Sequence, residues 1–319
     1  MDLKQVFINS AGRLRSGWRL LIFVLILVIL SIFFGAVTRK AFGLLVHFTP
    51  SSGVARYLEN FMFRMIFLLV ALLAGFICTR FLEGLPWRAL GLWFHARWVR
   101  DFLFGSVIGG VSLALATAIA TAAGGLSFTI SPRAALVQVL QTLVFSALLF
   151  ILAALAEEAL FRGYPLQTLT RANLAWLAVF LTSVPFAAIH LKNPNVAAGF
   201  TFINTALAGV WLAVAYLRTR SLWFPLGVHW AWNWALGSLF GLPVSGITDL
   251  APHPLLRGTD LGPAWLTGGS YGIEGGLACT ITLIISTVFI LRTRLVTATP
   301  EMKALTSQEN PVQLVAKAE

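Results

Sequence analysis

Long apolar runs, separated by short polar breaks, make up most of the chain. A helix needs about 20 apolar residues to cross the hydrocarbon of a bilayer. Runs near that length lie at 20–37, 60–82, 102–124, 135–157, 173–190, 197–217, 222–241 and 272–291. This pattern predicts an all-α polytopic membrane protein, a bundle of about eight transmembrane helices. The breaks carry turn and interface residues. The segment 86–92, PWRALGL, places Trp87 where headgroups would be and reads as interfacial. Residues 242–271 are rich in Pro and Gly and hold Asp249, His253, Arg257 and Asp260, so they are expected outside the hydrocarbon. The polar tail after Arg294 is expected to be disordered. The organisation that follows is 1–129 for N-terminal helices and the interfacial segment, 130–241 for the core helices, 242–271 for the loop, 272–294 for the last helix and 295–319 for a cytoplasmic tail. No internal repeat is visible.

Composition agrees with the pattern. Hydrophobic residues make up 58% of the 319 and charged residues 11%, with a mean hydropathy of +0.84. Those values exclude an ordinary soluble domain. The first apolar run is followed directly by Arg39-Lys40 rather than by a small-residue cleavage site, so it reads as a retained helix. Cys78 and Cys279 lie in or beside apolar runs and read as packing residues, not as a disulfide or metal pair. A net charge of +11 invites a nucleic-acid partner. The basic residues are spread between apolar runs instead of forming one block, which argues against it.

Their distribution also predicts orientation. With the N-terminus inside, Arg13, Arg19, Arg80, Arg97, Arg171, Arg218 and Arg292 are among many basic residues on the cytoplasmic side. Only Arg39, Lys40, Arg56, Arg133, Lys192 and Arg257 fall opposite, and Arg64 sits within a run. Both termini are therefore expected in the cytoplasm, with the chain in the cell membrane.

Three polar clusters interrupt the core runs. Glu157 and Glu158 stand side by side at the end of the fourth, followed by Arg162. A charge deep in a membrane helix costs about 2.5–3.5 kcal/mol on insertion scales, so it needs a partner or a task. Glu158 and Arg162 are four apart and can pair. Glu157 points about 100° away and is not expected to share that partner, which leaves it available for chemistry. His190 ends the fifth run. A hairpin turning near Asn173 would put Glu157 and His190 at nearly equal residue distances from the turn, hence at similar depth. His229 and Asn233 are four apart in the seventh run and share a helix face. The tryptophans around them read as packing or lipid contacts.

Two hydrolytic schemes suit these residue types. A Glu with a His partner can deprotonate water, while a second His and an Asn amide donate to the oxyanion of the tetrahedral intermediate. Alternatively Glu157, His190 and His229 could hold zinc, leaving a fourth position for water. The soluble H-E-x-x-H motif does not occur. Intramembrane Glu and His also mark proton pathways, so an ion-coupled transporter is a further reading. The lack of an inverted repeat counts against it.

The order E-E-x-x-x-R (157–162), F-x-x-x-H (186–190) and H-x-x-x-N (229–233) resembles the CPBP family, also called Abi. This group joins CAAX prenyl endopeptidases with bacteriocin-processing and bacteriocin-immunity proteins. The resemblance covers roughly residues 130–240. It implies an intramembrane endopeptidase with its active site inside the bundle, acting on a membrane-associated peptide or protein, lipidated substrates included. Glu157 and His190 would activate water, and His229 and Asn233 would stabilise the oxyanion. Glu158 and Arg162 would hold the motif helix, and Phe186 would pack beside the site. The family has been described both with and without metal. A scheme without cofactor is expected here, with zinc on Glu157, His190 and His229 as the alternative. The family also leaves open a non-catalytic immunity or scaffold role.

Overall fold

The computed structural model describes residues 6–9, 12–46, 52–196 and 199–306. Its long helices are α1 (Ser16–Val46), α2 (Ser52–Ile77), α3 (Trp98–Ala122) and α4 (Leu136–Glu158). These are followed by α5 (Tyr164–Arg171), α6 (Ala175–His190), α7 (Phe200–Thr219), α8 (Trp223–Trp234), α9 (Ala264–Thr267), α10 (Leu277–Arg292) and α11 (Pro300–Thr306). A helix occupies each of the eight predicted apolar runs. Among the described residues, five stretches are long and apolar enough to cross a membrane: Ser16–Leu44, Phe61–Leu82, Trp98–Ala122, Arg133–Arg171 and Phe200–Thr219. Ala175–His190 and Leu277–Arg292 are apolar but shorter.

The expectation of an all-helical chain needs one amendment. β1 (Leu126–Ile130) and β2 (Leu256–Asp260) pair antiparallel, from Leu126 opposite Asp260 to Ile130 opposite Leu256. Phe128, Thr129 and Ile130 favour extended backbone, and the ribbon gives part of the 242–271 loop regular structure.

The chain forms two compact units. The first comprises residues 1–93, 152–178 and 299–319, and the second 94–151 and 179–298. In the first, α1 packs on α2 and on α5. Its interior holds a charged cluster that the loop-based reading of basic residues did not anticipate. Arg19 and Arg171, expected at the cytoplasmic surface, are only 1% and 2% exposed. Both guanidinium groups donate to the buried Glu83, Arg19 to Oε1 and Arg171 to Oε2. Thr168 Oγ1 also donates to Glu83 Oε1, at 2.5 Å. Buried charges persist only when paired in this way. The segment predicted to be interfacial forms a 3₁₀ turn at Trp87–Leu90, with Trp87 exposed and Leu90 buried. Gln167 Nε2 ties it to α5 through the Leu90 carbonyl, at 2.8 Å.

The tail is not wholly without structure. Pro300 opens α11, Thr299 Oγ1 caps it by accepting the Met302 amide at 3.2 Å, and Met302 is fully buried. A proline in the first turn with a threonine ahead of it is a sound helix start. Residues 307–319 lie outside the described residues.

In the second unit the tightest crossing is between α3 and α8. A Cβ on Gly105 would lie 2.2 Å from the Phe224 carbonyl oxygen, and one on Gly109 2.1 Å from that of Val228. One on Gly227 would lie 2.1 Å from that of Phe102. Small residues let the two backbones touch, a packing mode suited to lipid, where apolar side chains gain little by leaving the tails. Gly227→Ala is therefore expected to cost about 1–3 kcal/mol through overpacking. Thermal unfolding of the full chain in nanodiscs checks this, and an unchanged midpoint would contradict it. Polar side chains add interhelical bonds: Ser112 and Trp211 both donate to Ser286 Oγ, at 2.8 and 2.9 Å. Cys279 is buried in this core and Cys78 in the first unit, and neither is bridged.

Candidate functional site

The acidic motif sits where helical geometry changes. α4 ends at Glu158, and a π-helical turn, Ala159–Gly163, leads into α5. The reason is local. Pro165 has no N–H to offer the Phe161 carbonyl and its ring crowds that oxygen, so an α-helical ladder cannot pass through. A widened turn accommodates the break, as π turns often do at functional sites. Gly163 leaves helical backbone with ψ −123°. The hairpin apex then falls at Asn173, which adopts a left-handed φ of 61° between α5 and α6.

Within the first unit, Glu158 and Arg162 are completely buried. Arg162 Nη1 donates to Glu158 Oε1 at 3.0 Å. The guanidinium also lies 5.9 Å from the Phe161 ring centroid. Glu157 is half-buried. It is not isolated from basic groups, as the helical spacing suggested. Its carboxylate acts electrostatically on Arg64 of α2 and on Arg162. Arg64 is the residue that sequence reasoning passed over. The signal was present, because a charge in mid-span needs a partner.

The remaining motif residues lie in the second unit. His190 closes α6, and its Nδ1–H donates to the Phe186 carbonyl at 2.7 Å. A carbonyl can only accept, so in the neutral ring Nδ1 carries the proton and Nε2 presents a lone pair. The buried Phe186 ring lies 4.6 Å from the His190 ring and 6.2 Å from that of His229, between centroids. The structure thus gathers both imidazoles around one phenyl group. His229 is buried and Asn233 half-buried, one turn apart on α8.

The tryptophans of α8 do more than pack. Trp230 Nε1 donates to the Ala147 carbonyl at 3.1 Å and Trp234 Nε1 to that of Leu143 at 3.0 Å. These two bonds hook α8 onto α4 and fix the rotation that sets where His229 and Asn233 point. A cavity of about 880 Å³ opens on the loop side of this unit, lined by Asn195, Val244, His253, Arg257 and Ile273 among others. None of the motif residues lines it. Among the described residues, no three His, Cys, Asp or Glu side chains are grouped to hold a metal ion.

Comparison with known proteins bears on this arrangement. Residues 138–235 match the family described as Type II CAAX prenyl endopeptidase Rce1-like. These residues form an Rce1-like segment. It contains the whole of the three-part motif, in agreement with the resemblance to CAAX prenyl endopeptidases. An "Uncharacterized 24.3 kDa protein" of Escherichia coli is 36% identical over 95 residues. That similarity covers 29% of this chain and 42% of the relative, so less than half of that protein's length is matched. No solved structure matches the chain. The Rce1-like segment and the five apolar helices together mark an integral membrane protein.

Proposed function

We propose that the chain is an intramembrane endopeptidase acting on a membrane-associated peptide or protein, prenylated substrates included. The observation that carries this reading is the state of His190 within the Rce1-like segment. With Nδ1–H committed to Phe186, its Nε2 is a proton acceptor. In the proposed reaction Glu157, assisted by His190, takes a proton from water, and the water oxygen attacks the scissile carbonyl carbon. The tetrahedral oxyanion accepts hydrogen bonds from a His229 ring N–H and from the Asn233 amide. Collapse breaks the C–N bond, and the proton first taken from water passes to the departing amine. Residues 130–241 are the catalytic core in this account. The chain crosses the cell membrane eight times, with both termini in the cytoplasm.

Oxyanion donors act on the transition state far more than on the bound substrate. His229→Ala and Asn233→Ala should each lower kcat by about 10²–10³ with little change in KM. Variants that raise KM at constant kcat would contradict the assignment. No step is routed through a metal, so saturating EDTA should leave turnover unchanged. Loss of turnover that zinc restores would instead assign water activation to a metal held by Glu157, His190 and His229.

A further inference from the structure

Glu274 lies outside the Rce1-like segment, in the short turn before α10, yet its carboxylate bonds α8 directly and reaches the segment that follows α6 through the turn at Ser245. Oε1 accepts from Trp232 Nε1 at 3.0 Å. Oε2 accepts from the Ser245 backbone N–H at 2.5 Å and from its hydroxyl at 3.1 Å. Ser245 and Gly246 form a two-residue turn with positive φ at both positions, closed by paired bonds between Val244 and Ile247.

Every backbone polar group at the tip of this turn is engaged. The Ser245 amide goes to Glu274, and the Gly246 amide to the Tyr271 carbonyl at 3.0 Å. The Ser245 carbonyl accepts from Asn193 Nδ2 at 3.1 Å, and that of Gly246 from Asn195 Nδ2 at 2.9 Å. Gly246 cannot be replaced at this contact, since a Cβ there would lie 2.0 Å from the Pro194 carbonyl oxygen. Asn193 follows His190 by three residues, and Trp232 follows His229 by three and precedes Asn233.

Glu274 is itself held from behind. Asn204 Nδ2 donates to the Glu274 and Gly276 carbonyls, both at 2.9 Å, and Asn204 Oδ1 accepts from Thr280 at 2.6 Å. Burial, reinforced by the Glu274 charge, pushes the Tyr271 hydroxyl up to about 12.

We infer that Glu274 is a positioning residue: its carboxylate clamps the Ser245–Gly246 turn to Trp232 and so fixes His190 and the His229–Asn233 face relative to one another. A carboxylate suits this place because three donors converge on it and it can only accept. The catalytic part of this inference rests on the proposed endopeptidase activity. The clamp itself does not.

Glu274→Gln supplies the test. Its amide must turn an NH₂ toward either Trp232 Nε1–H or Ser245 N–H, setting donor against donor. In the double variant with Trp232→Phe, the amide oxygen can face Ser245 and the NH₂ can face the phenyl ring. The full chain in nanodiscs is followed by ring-nitrogen NMR of histidine and by kcat and KM for a cleaved peptide. For the native chain, His190 should report the Nδ1–H tautomer. Glu274→Gln should move the His190 and His229 signals and lower kcat by about tenfold or more at constant KM, and the double variant should restore both. Unmoved histidine signals in folded Glu274→Gln would overturn the clamp, whatever the activity. Moved signals with native kcat would overturn its link to the reaction while leaving the endopeptidase reading intact. A native chain that cleaves nothing would defeat the endopeptidase reading, and the histidine signals alone would then decide the clamp.

Discussion

Glu157→Gln abolishes hydrolysis and leaves the protein folded: that is the expected result at the motif. Glutamine keeps the size of the side chain and one accepting oxygen, but it cannot take a proton from water. Loss of a general base costs about 10²–10⁴ in rate. Glu157 is only half-buried, and Arg162 keeps its bond to Glu158, so neutralising Glu157 should disturb the fold little. The adjacent Glu158→Gln behaves differently. Glu158 is fully buried against Arg162, and its neutralisation removes the charge to which that buried guanidinium donates. Stability should fall first there, and activity with it. Turnover per folded molecule separates the two glutamates. Native turnover in Glu157→Gln would remove it from the chemistry.

The largest stability effect is expected far from the motif in sequence. Glu83 accepts from two buried arginines and a threonine. Glu83→Ala leaves both guanidinium groups buried without their carboxylate, and breaking a buried ion pair from one side costs about 3–5 kcal/mol. Unfolding of the full chain in nanodiscs should register that loss. Replacing the whole cluster at once, with Arg19→Met and Arg171→Met added to Glu83→Leu, should recover most of it, because no charge is then left stranded. A Glu83→Ala chain as stable as the native one would show that water reaches the cluster.

What the sequence made legible was local. Each of the eight apolar runs holds a helix, and among the described residues five helical stretches are long and apolar enough to cross a membrane, because hydropathy along a run reports on the helix it can form. The Glu158–Arg162 pair followed from a spacing of four, and the turn near Asn173 from the polar break between two apolar runs; Asn173 makes it because it tolerates left-handed backbone. Helix length was less legible. α6 and α10 are only 16 residues each, and this was hidden because hydropathy weighs transfer of residues, not where capping and turn residues end the helix. The long-range polar contacts were hidden. Arg19 and Arg171 read as loop charges because each stands at the edge of an apolar run. They are buried because Glu83, some 64 and 88 residues away, satisfies both. Arg64 was set aside because it sits within a run, and the carboxylate that acts on it, Glu157, lies on another helix. Trp232 was assigned only to packing because its acceptor, Glu274, is 42 residues distant. Sequence spacing finds partners one turn away and misses those supplied by packing.

The most direct test is a comparison of membrane-protein termini by mass spectrometry. Cells carrying the native chain are set against cells carrying Glu157→Gln at equal abundance. The endopeptidase account predicts new termini with the native chain alone, and their sequences would name the substrate class. Matching profiles under several growth conditions would contradict it and favour a non-catalytic scaffold or immunity role for the same fold.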